Sequence, residues 1–346
     1  MQPVLTETPY RTDKIAWHVD RIADMRAGRQ ARPVGLQLII SDYCNHDCFF
    51  CGYRATSGLS SEQFGGTDFH GNPTHNPNRM ILADKVREIL ADAYARGTRS
   101  ITWTGGGEPT AHPNHMGLFA DALQLGLECS LNTNGSILHP GWENVLSRFA
   151  YVRFSIDAGT PEEYAQIRRV NPRQYHRTLA HLQQLCAEVK RQNSPCVVGV
   201  GYVVTPDNYV NLVEGVRRLR DVGAHYVRLA SMQSTAGVAI YTDGGLDKLS
   251  PAREAIRQAL DLATPQFQVI NLFDAALGRR MTNPFCGFQQ VVVYVGANLK
   301  IYRCCYTAYS QLGEIGDLSQ QRFAAWFMSA EKARSIDHFD ARTCNT

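Results

Sequence analysis

Three cysteines stand close together in the N-terminal part of this 346-residue chain, in the stretch SDYCNHDCFFC. Cys44, Cys48 and Cys51 directly follow an apolar run, residues 34–40, that is typical of a buried strand. A disulfide needs two cysteines, whereas a structural zinc ion usually has four protein ligands. His46 lies between the first two cysteines, where the short loop makes simultaneous ligation awkward. A 4Fe–4S cluster accepts thiolates on its corners and can leave one iron open to an external ligand, which fits three cysteines.

A glycine-rich turn is the second stretch whose residues could take part in binding or catalysis. TGGGEPT, residues 104–110, follows the short strand SITWT, and its glycines allow the backbone to come close to a ligand. Taken alone, this stretch is equally typical of an ordinary tight turn. Two further polar stretches, NTNG at 132–135 and SIDAG at 155–159, also end strands. Strand ends of this kind are where ligand sites of parallel α/β folds lie.

Strands and helices alternate along the segments that must position these stretches. Residues 10–33 form an Arg-rich leader with one or two short helices, and six strand-like segments follow between residues 34 and 233. Strands that alternate with helices of about ten or more residues indicate right-handed βαβ units and a parallel sheet. Residues 160–163, Thr-Pro-Glu-Glu, have the pattern of a capping box, so we expect a helix to begin there. Six strands are fewer than the eight of a closed barrel.

A long polar stretch interrupts the alternation directly after Cys51. Residues 52–79 contain five glycines, and a loop of this length in a compact domain is usually functional or disordered. It is positioned to help cover a site at the cysteines, with His70 and His75 as candidate contacts to a ligand.

The C-terminal part of the chain departs from the alternation. QQVVVYVGANLKIYRCC, residues 289–305, has the pattern of a β-hairpin, and a helix is expected around 320–333. We therefore expect an N-terminal helical extension at 1–33, an α/β core at 34–235, a helical linker at 236–280, and a separate small domain at 281–346.

Composition and charge narrow the class of protein. Hydrophobic residues make up 44% and charged residues 19%, as in soluble proteins with a packed core. The net charge is +3, from 35 basic and 32 acidic residues, a surplus too small to argue for nucleic acid or an anionic membrane. No stretch approaches the roughly 20 apolar residues of a membrane span, and the N-terminus lacks the apolar core of a secretory signal. We therefore expect a cytoplasmic protein, in which clustered cysteines indicate metal or redox chemistry.

The spacing C-x3-C-x2-C at the end of a first strand resembles the signature of radical S-adenosylmethionine (SAM) enzymes. The resemblance implies a partial (β/α)6 barrel of the TIM type. It also implies that Cys44, Cys48 and Cys51 hold a 4Fe–4S cluster whose fourth iron is chelated by the amino and carboxylate groups of SAM.

Several stretches match the family in order along the chain. TGGGEPT resembles the family's GGE motif, although the extra glycine leaves open which pair contacts SAM. Arg168 resembles a family arginine suited to a carboxylate, with a solvated helix charge as the alternative, and Asn208 and Ser231 are weaker candidates. The resemblance implies cofactor contacts from Phe50, Gly105, Gly106, Gly107, Glu108, Asn134, Ser155, Asp157 and Arg168.

The C-terminal cysteines resemble the auxiliary-cluster domain called twitch, or its longer relative SPASM. The resemblance implies a second 4Fe–4S cluster held by Cys286, Cys304, Cys305 and Cys344. Such domains generally finish with a further cysteine pair, whereas this sequence stops at TCNT. Cys305 as a weak fourth ligand is the favoured interpretation. A different ligand, a truncated chain, and ordinary thiols without a cluster remain alternatives.

The resemblance implies an enzyme that cleaves SAM reductively to a 5′-deoxyadenosyl radical, which abstracts hydrogen from a small-molecule or peptide substrate. Oxidation, cross-linking, epimerisation or rearrangement would result, with a flavodoxin- or ferredoxin-like protein as electron donor. Two alternatives stay open: the same chemistry on a nucleotide or nucleic-acid base, and a SAM-binding iron–sulfur protein that senses redox state or transfers electrons without turnover.

Overall fold

The computed structural model describes residues 12–51, 53, 79–232, 250–274, 282–309 and 313–343. Strands and helices alternate through most of these residues. The strands are β1 Gly35–Ile39, β2 Ser100–Thr104, β3 Glu128–Thr133, β4 Tyr151–Ser155, β5 Val197–Val204, β6 Tyr226–Ser231, β7 Gln268–Leu272, β8 Val292–Val295, β9 Lys300–Tyr302 and β10 Glu314–Asp317.

The α-helices are Val19–Arg26, Ala83–Ala95, His115–Gln124, Trp142–Leu146, Pro161–Arg168, Arg173–Gln192, Leu212–Asp221, Ser250–Leu260, Phe288–Val291, Phe323–Phe327 and Ala330–Asp337. Short 3-10 helices lie at Thr12–Trp17, Pro109–Ala111, Tyr209–Asn211 and Ala341–Thr343. Within the described residues, no helix is both long and apolar enough to cross a membrane.

All ten strands belong to one sheet, in the order β10-β9-β8-β1-β2-β3-β4-β5-β6-β7. Strands β1 to β7 run parallel in chain order, as their pairings show. The expectation of a mostly parallel sheet of the partial-barrel type is confirmed. Since all seven strands point the same way, the segments that follow them gather at one end of the barrel.

The local sequence explains where the helix at Pro161–Arg168 begins. Thr160 is its N-cap, and its hydroxyl accepts a hydrogen bond from the Glu163 amide at 3.2 Å. The Glu163 carboxylate in turn accepts a hydrogen bond from the Gly159 amide at 2.5 Å. The capping pattern in the sequence therefore forms as expected, and it fixes the direction in which the chain leaves β4.

Residues 236–280, where a helical linker is expected, contain a strand as well as a helix. The helix Ser250–Leu260 is present, but β7 at Gln268–Leu272 adds a seventh parallel strand that pairs with β6. Strand β7 lies at the edge of the sheet and none of its residues is fully buried. It therefore lacks the strong apolar alternation by which half-buried strands are recognised in a sequence.

The predicted hairpin is present as β8 and β9, which pair antiparallel. Its first strand also pairs parallel with β1, so that Gly35 has Ser100 on one side and Val292 on the other. The C-terminal strands thus extend the sheet of the core. The division into separate units at residue 281 stays a prediction.

Apolar side chains fill the space between the sheet and the helices that cover it. Trp103 from β2 packs on Phe119 of the helix His115–Gln124, with ring centroids 5.0 Å apart, and both are fully buried. Burying a side chain of this size contributes about 2–3 kcal/mol. This packing holds the strands rigidly, so their carboxyl ends form a fixed frame for the loops.

Candidate active site

A cavity of about 400 Å³ opens at the carboxyl ends of the parallel strands. Its wall includes side chains from every strand end between β1 and β6, which are far apart in the sequence. Residues predicted for the site that line it are Cys44, Cys48, Phe50, Cys51, Gly105, Gly106, Gly107, Glu108, Asn134, Ser155, Asp157 and Arg168.

The loop that carries the three cysteines is anchored by backbone hydrogen bonds to a neighbouring helix. The Asp47 amide donates to the Arg168 carbonyl at 3.1 Å, and the Phe49 amide to the Ile167 carbonyl at 3.3 Å. The loop turns back on itself where the Cys51 amide donates to the Cys48 carbonyl at 3.1 Å. These bonds hold the cysteine loop over the barrel end.

The thiols of this loop lie close enough to influence one another. Burial raises the pKa of Cys44 to about 12, with further contributions from the charges of Glu108, Cys48 and Cys51. A group of partly buried thiols that repel one another when ionised is a donor set that needs a cation to hold it deprotonated. Across the described ranges, no three Cys, His, Asp or Glu side chains converge on a single ion. The donor set suits a cluster, in which each thiolate binds a separate iron.

Glycine is required at two positions of the turn after β2. A Cβ atom at Gly107 would lie 2.2 Å from the Tyr43 carbonyl oxygen, and one at Gly105 would lie 1.6 Å from the Gly107 carbonyl oxygen. The turn is tied to the start of the cysteine loop, because the Gly107 amide donates to Ser41 at 3.0 Å and the Glu108 amide to Tyr43 at 2.8 Å. The two predicted stretches therefore form one continuous surface.

Glu108 is buried, and protein donors surround its carboxylate. One oxygen, Oε1, accepts hydrogen bonds from the Thr133 hydroxyl at 2.6 Å and from the Thr110 hydroxyl and amide at 2.8 and 3.0 Å. The other, Oε2, accepts one from the Asn134 amide at 2.7 Å. Burial raises the pKa of Glu108, and these hydrogen bonds oppose that rise. Glu108 thus joins the turn after β2 to the end of β3.

Asn134 connects the end of β3 to the cysteine loop. Its side-chain amide donates to Asn45 Oδ1 at 2.9 Å and lies 3.9 Å from the Cys44 sulfur. Its Oδ1 accepts hydrogen bonds from the amide and hydroxyl of Ser136 at 2.9 and 2.7 Å. The stretch NTNG therefore lies beside the cysteines, as its place at a strand end indicated.

Arg168 is buried and forms an ion pair with the equally buried Asp157. It is therefore not a solvated helix charge. Asp157 also accepts a hydrogen bond from the Val203 amide at 2.7 Å, and burial raises its pKa while the Arg168 charge opposes that rise. The guanidinium carbon lies 6.0 Å from the Phe50 ring centre. The pair connects the aromatic residue of the cysteine loop to the ends of β4 and β5.

The two weaker candidates differ in their surroundings. Ser231, at the end of β6, lines the cavity, and its buried hydroxyl has no hydrogen-bond partner within the part of the chain that is described. Asn208 is fully buried and donates to the carbonyl oxygens of Asp157 and Val203, both at 2.8 Å. Asn208 thus supports the backbone that carries Asp157 and does not line the cavity.

The sequence interpretation overlooked two arginines inside the barrel and one tyrosine. Arg153 in the middle of β4 and Arg228 in the middle of β6 both line the cavity. The signal was available, because each charge replaces an apolar residue within a strand of a sheet that helices cover. Tyr53 also lines the cavity, and its hydroxyl is 2.5 Å from the Tyr294 hydroxyl.

Of the C-terminal cysteines that the structure describes, Cys286 precedes β8, and Cys304 and Cys305 follow β9. The sulfur of Cys304 is 3.6 Å from the Thr307 hydroxyl. Cys305 is exposed to solvent, and the charges of Arg228 and Arg153 act to lower the pKa of its thiol. Cys305 is therefore near the two barrel arginines. Cys344 and nearly all of the long loop at 52–79, including His70 and His75, lie outside the described residues.

Comparison with known proteins agrees with this geometry. A family model described as the radical SAM superfamily matches residues 38–214, about half of the chain. The chain belongs to the radical SAM superfamily. None of the curated proteins compared with the chain matches it.

Solved structures of similar fold share little sequence with the chain. Streptococcus suis SuiB bound to the precursor peptide SuiA is 15% identical with a TM-score of 0.64, over 96% of this chain and 73% of that one. SuiB bound to SAM is 14% identical with a TM-score of 0.61, over 94% and 70%. The protein anSMEcpe with bound AdoMet is 15% identical with a TM-score of 0.59, over 88% and 83%. At these identities the likeness concerns the fold.

Proposed function

We propose that this protein cleaves SAM reductively at a 4Fe–4S cluster held by Cys44, Cys48 and Cys51 and abstracts hydrogen from a small-molecule or peptide substrate. The observation that carries the proposal is the common cavity. The cysteine loop, the glycine turn and the ion pair of Asp157 and Arg168 line one space at the barrel end. Loops without a common function would not be expected to place three thiols, a glycine-rich turn and a buried ion pair around one cavity.

The residues present fit the group that they would hold. Gly105 and Gly107 leave the backbone bare at the cavity wall, where any Cβ would collide with a carbonyl oxygen. The bound cluster would supply the electron that cleaves SAM to methionine and a 5′-deoxyadenosyl radical. Glu108 and Asn134 keep the glycine turn and the cysteine loop in register, since each bridges two of the contributing strand ends. We propose that Phe50, Ser155, Asp157 and Arg168 orient SAM in the remaining space.

Among the possible substrate classes, we favour a peptide. Two proteins of similar fold have solved structures that are described as bound to peptides, SuiB with SuiA and anSMEcpe with the Cp18Cys peptide. Reaction on a nucleotide or nucleic-acid base is the alternative. It has less support, because the small positive net charge does not indicate a nucleic-acid partner.

A second 4Fe–4S cluster near Cys286, Cys304 and Cys305 belongs to the proposal. It is supported by the positions of these cysteines at the two ends of one hairpin, with Cys286 before β8 and Cys304 and Cys305 after β9. Such a cluster would accept the electron that the substrate radical loses when it is oxidised, or it would bind the substrate directly. A flavodoxin- or ferredoxin-like protein would deliver the electron for SAM cleavage.

The experiment uses the full chain, reconstituted with iron and sulfide without oxygen and incubated with SAM and a strong reductant. The expected result is 5′-deoxyadenosine, detected by chromatography, with about eight irons per chain when both clusters form and about four when only one does. The variant Cys44→Ala is expected to release no 5′-deoxyadenosine.

The matched control is Cys129→Ala, which removes a buried core thiol away from the cavity. This variant should still cleave SAM, and its free energy of unfolding should be lower by about 1 kcal/mol. SAM cleavage by the Cys44→Ala variant at the control's rate would overturn the assignment. Binding of SAM without any 5′-deoxyadenosine release by the unaltered protein would favour a redox or sensor role.

A further inference from the structure

Among the described residues, two tyrosines line the cavity: Tyr53, just after the cysteine loop, and Tyr202 in β5. A phenolic O–H bond is weaker than the C–H bond that a 5′-deoxyadenosyl radical forms, so a tyrosine beside such a radical can give it a hydrogen atom. The Tyr202 hydroxyl lies within reach of the Glu163 charge and has no hydrogen-bond partner in the described part of the chain. Tyr53 differs, because its hydroxyl has a second phenol beside it.

The hydroxyl oxygens of Tyr53 and Tyr294 are 2.5 Å apart, at the short end of the range for O–H···O hydrogen bonds. Tyr294 lies in β8 and is fully buried. Burial raises the pKa of Tyr294 well above its usual value, so its hydroxyl keeps its proton. A hydrogen atom can pass between two oxygens at this distance without movement of either ring.

The surroundings hold the Tyr53 ring in a fixed orientation. This ring stands nearly perpendicular to the Tyr309 ring, with the ring centroids 5.9 Å apart. Tyr309 is itself held by the hydrogen bond that its hydroxyl donates to Asp42. The charges of Cys305 and Cys51 both act on the Tyr53 hydroxyl, so the pair of phenols is close to the cysteine loop and to a C-terminal cysteine.

We propose that Tyr53 donates the hydrogen atom of its hydroxyl to a carbon radical in the cavity, and that Tyr294 then replaces this hydrogen with its own. The inference rests on the proposed function and narrows its reaction type. The substrate radical gains a hydrogen atom and loses no electron, as in an epimerisation. The second cluster would then supply an electron to the protein and would not accept one from the substrate.

The atoms and electrons of each step balance. The O–H bond of Tyr53 breaks as a C–H bond forms on the substrate, which leaves a phenoxyl radical on Tyr53. The phenoxyl oxygen takes the hydrogen atom of the Tyr294 hydroxyl, so the unpaired electron moves to a buried ring away from the substrate. One electron from the flavodoxin- or ferredoxin-like donor, by way of the proposed second cluster, and one proton from water restore Tyr294.

The test uses the reconstituted full chain in heavy water, with SAM and a strong reductant but without substrate. The 5′-deoxyadenosyl radical then takes the place of the substrate radical, and the Tyr53 hydroxyl carries an exchangeable deuterium. We expect 5′-deoxyadenosine that contains solvent-derived deuterium, measured by mass spectrometry. We also expect a tyrosyl radical signal in electron paramagnetic resonance after rapid freezing.

Tyr53→Phe should still cleave SAM but should lose both the deuterium in the product and the tyrosyl signal. Tyr294→Phe should label the product only in the first turnover of each chain, because Tyr53 is no longer resupplied. Tyr302→Phe is the matched control in β9, where the hydroxyl accepts a hydrogen bond from Asn298 at 2.7 Å, and its product should be labelled as in the unaltered protein. Iron content and SAM binding of each variant separate these effects from a folding defect.

Equal deuterium content in the products of Tyr53→Phe and the unaltered protein would overturn the inference. A label that persists in Tyr53→Phe and disappears in Cys305→Ser would also overturn it, by assigning the donated hydrogen to the thiol. If the unaltered protein forms 5′-deoxyadenosine without deuterium, the inference fails and the proposed function stands. If it forms no 5′-deoxyadenosine, the proposed function itself fails and the inference with it.

Discussion

The Tyr309 hydroxyl donates a hydrogen bond to the Asp42 carboxylate at 2.6 Å, across 267 positions of sequence. Both residues are buried, and Asp42 also pairs with Arg79 at 2.5 Å. Asp42 lies two residues before Cys44, at the start of the cysteine loop. The C-terminal segment therefore contacts the loop that is proposed to hold the cluster. A substitution in this segment should alter the position of the cysteine loop.

Replacing Tyr309 by phenylalanine should loosen the cysteine loop. The variant loses the hydrogen bond to a buried carboxylate, which we expect to cost about 1–3 kcal/mol in the free energy of unfolding. It should also retain less iron after reconstitution and gel filtration. Tyr302→Phe is the matched control, since its hydroxyl accepts from Asn298 at 2.7 Å within the hairpin. Equal iron loss in both variants would contradict a specific connection to the cysteine loop.

A methyl group at Gly107 should displace the start of the cysteine loop. The added Cβ would meet backbone atoms of Asp42 and Tyr43 at 2.2 to 2.6 Å, which cannot rotate away as a side chain can. We expect Gly107→Ala to cost about 1–3 kcal/mol and to lower iron incorporation, measured by urea unfolding and iron analysis.

The control for this change is Gly117→Ala, in the helix His115–Gln124, where the nearest atom to the new Cβ is 4.0 Å away. Alanine is the better helix former, so this variant should be more stable by up to about 1 kcal/mol. Unchanged iron content in Gly107→Ala would show that the contact with residues 42 and 43 does not position the cysteines.

Removing the Arg168 guanidinium should be costly because it leaves Asp157 buried without its cation. For Arg168→Met we expect a loss of about 3–5 kcal/mol in the free energy of unfolding and weaker SAM binding. The double variant Arg168→Met with Asp157→Asn should recover part of the stability. Arg217→Met breaks an exposed pair with Glu214 and should change stability by less than about 0.5 kcal/mol. A small effect of Arg168→Met would mean that solvent reaches Asp157.

Lys332 should make stability depend on pH. Burial lowers its pKa to about 7, and its Nζ lies 3.5 Å from the ring centre of Phe327. The unfolded chain keeps this lysine charged up to about pH 10.4, so between pH 7 and 10 the unfolded state binds more protons than the folded state. Stability should therefore rise with pH across that window.

Urea unfolding at pH 6 and pH 9.5 tests this expectation. Lys332→Met should be more stable than the unaltered protein at pH 6, by about 2–4 kcal/mol, and the difference should shrink at pH 9.5. Lys332→Arg stays charged at both values and should be the less stable variant throughout. If the free energies of unfolding of Lys332→Met and the unaltered protein differed by the same amount at both pH values, Lys332 would not be the group that titrates.

Local patterns in the sequence were enough to predict much of the architecture. The alternation of apolar strands and amphipathic helices predicted the parallel sheet, and the capping pattern at Thr160 predicted the start of a helix that the structure contains. These predictions succeed because helix starts and buried strands are determined by residues within a few positions of one another. Strand β7 was missed for the same reason, since an exposed edge strand has little local apolar pattern.

Residue type and spacing also placed the cysteine loop and the glycine turn in one site, because parallel strands bring their carboxyl ends together. Only the tertiary structure decided which partner each side chain takes. It paired Arg168 with Asp157, surrounded Glu108 with donors from β3, and placed Arg153 and Arg228 in the wall of one cavity. Such contacts join segments tens of residues apart, and they depend on strand register and on the directions of side chains, which no local pattern specifies.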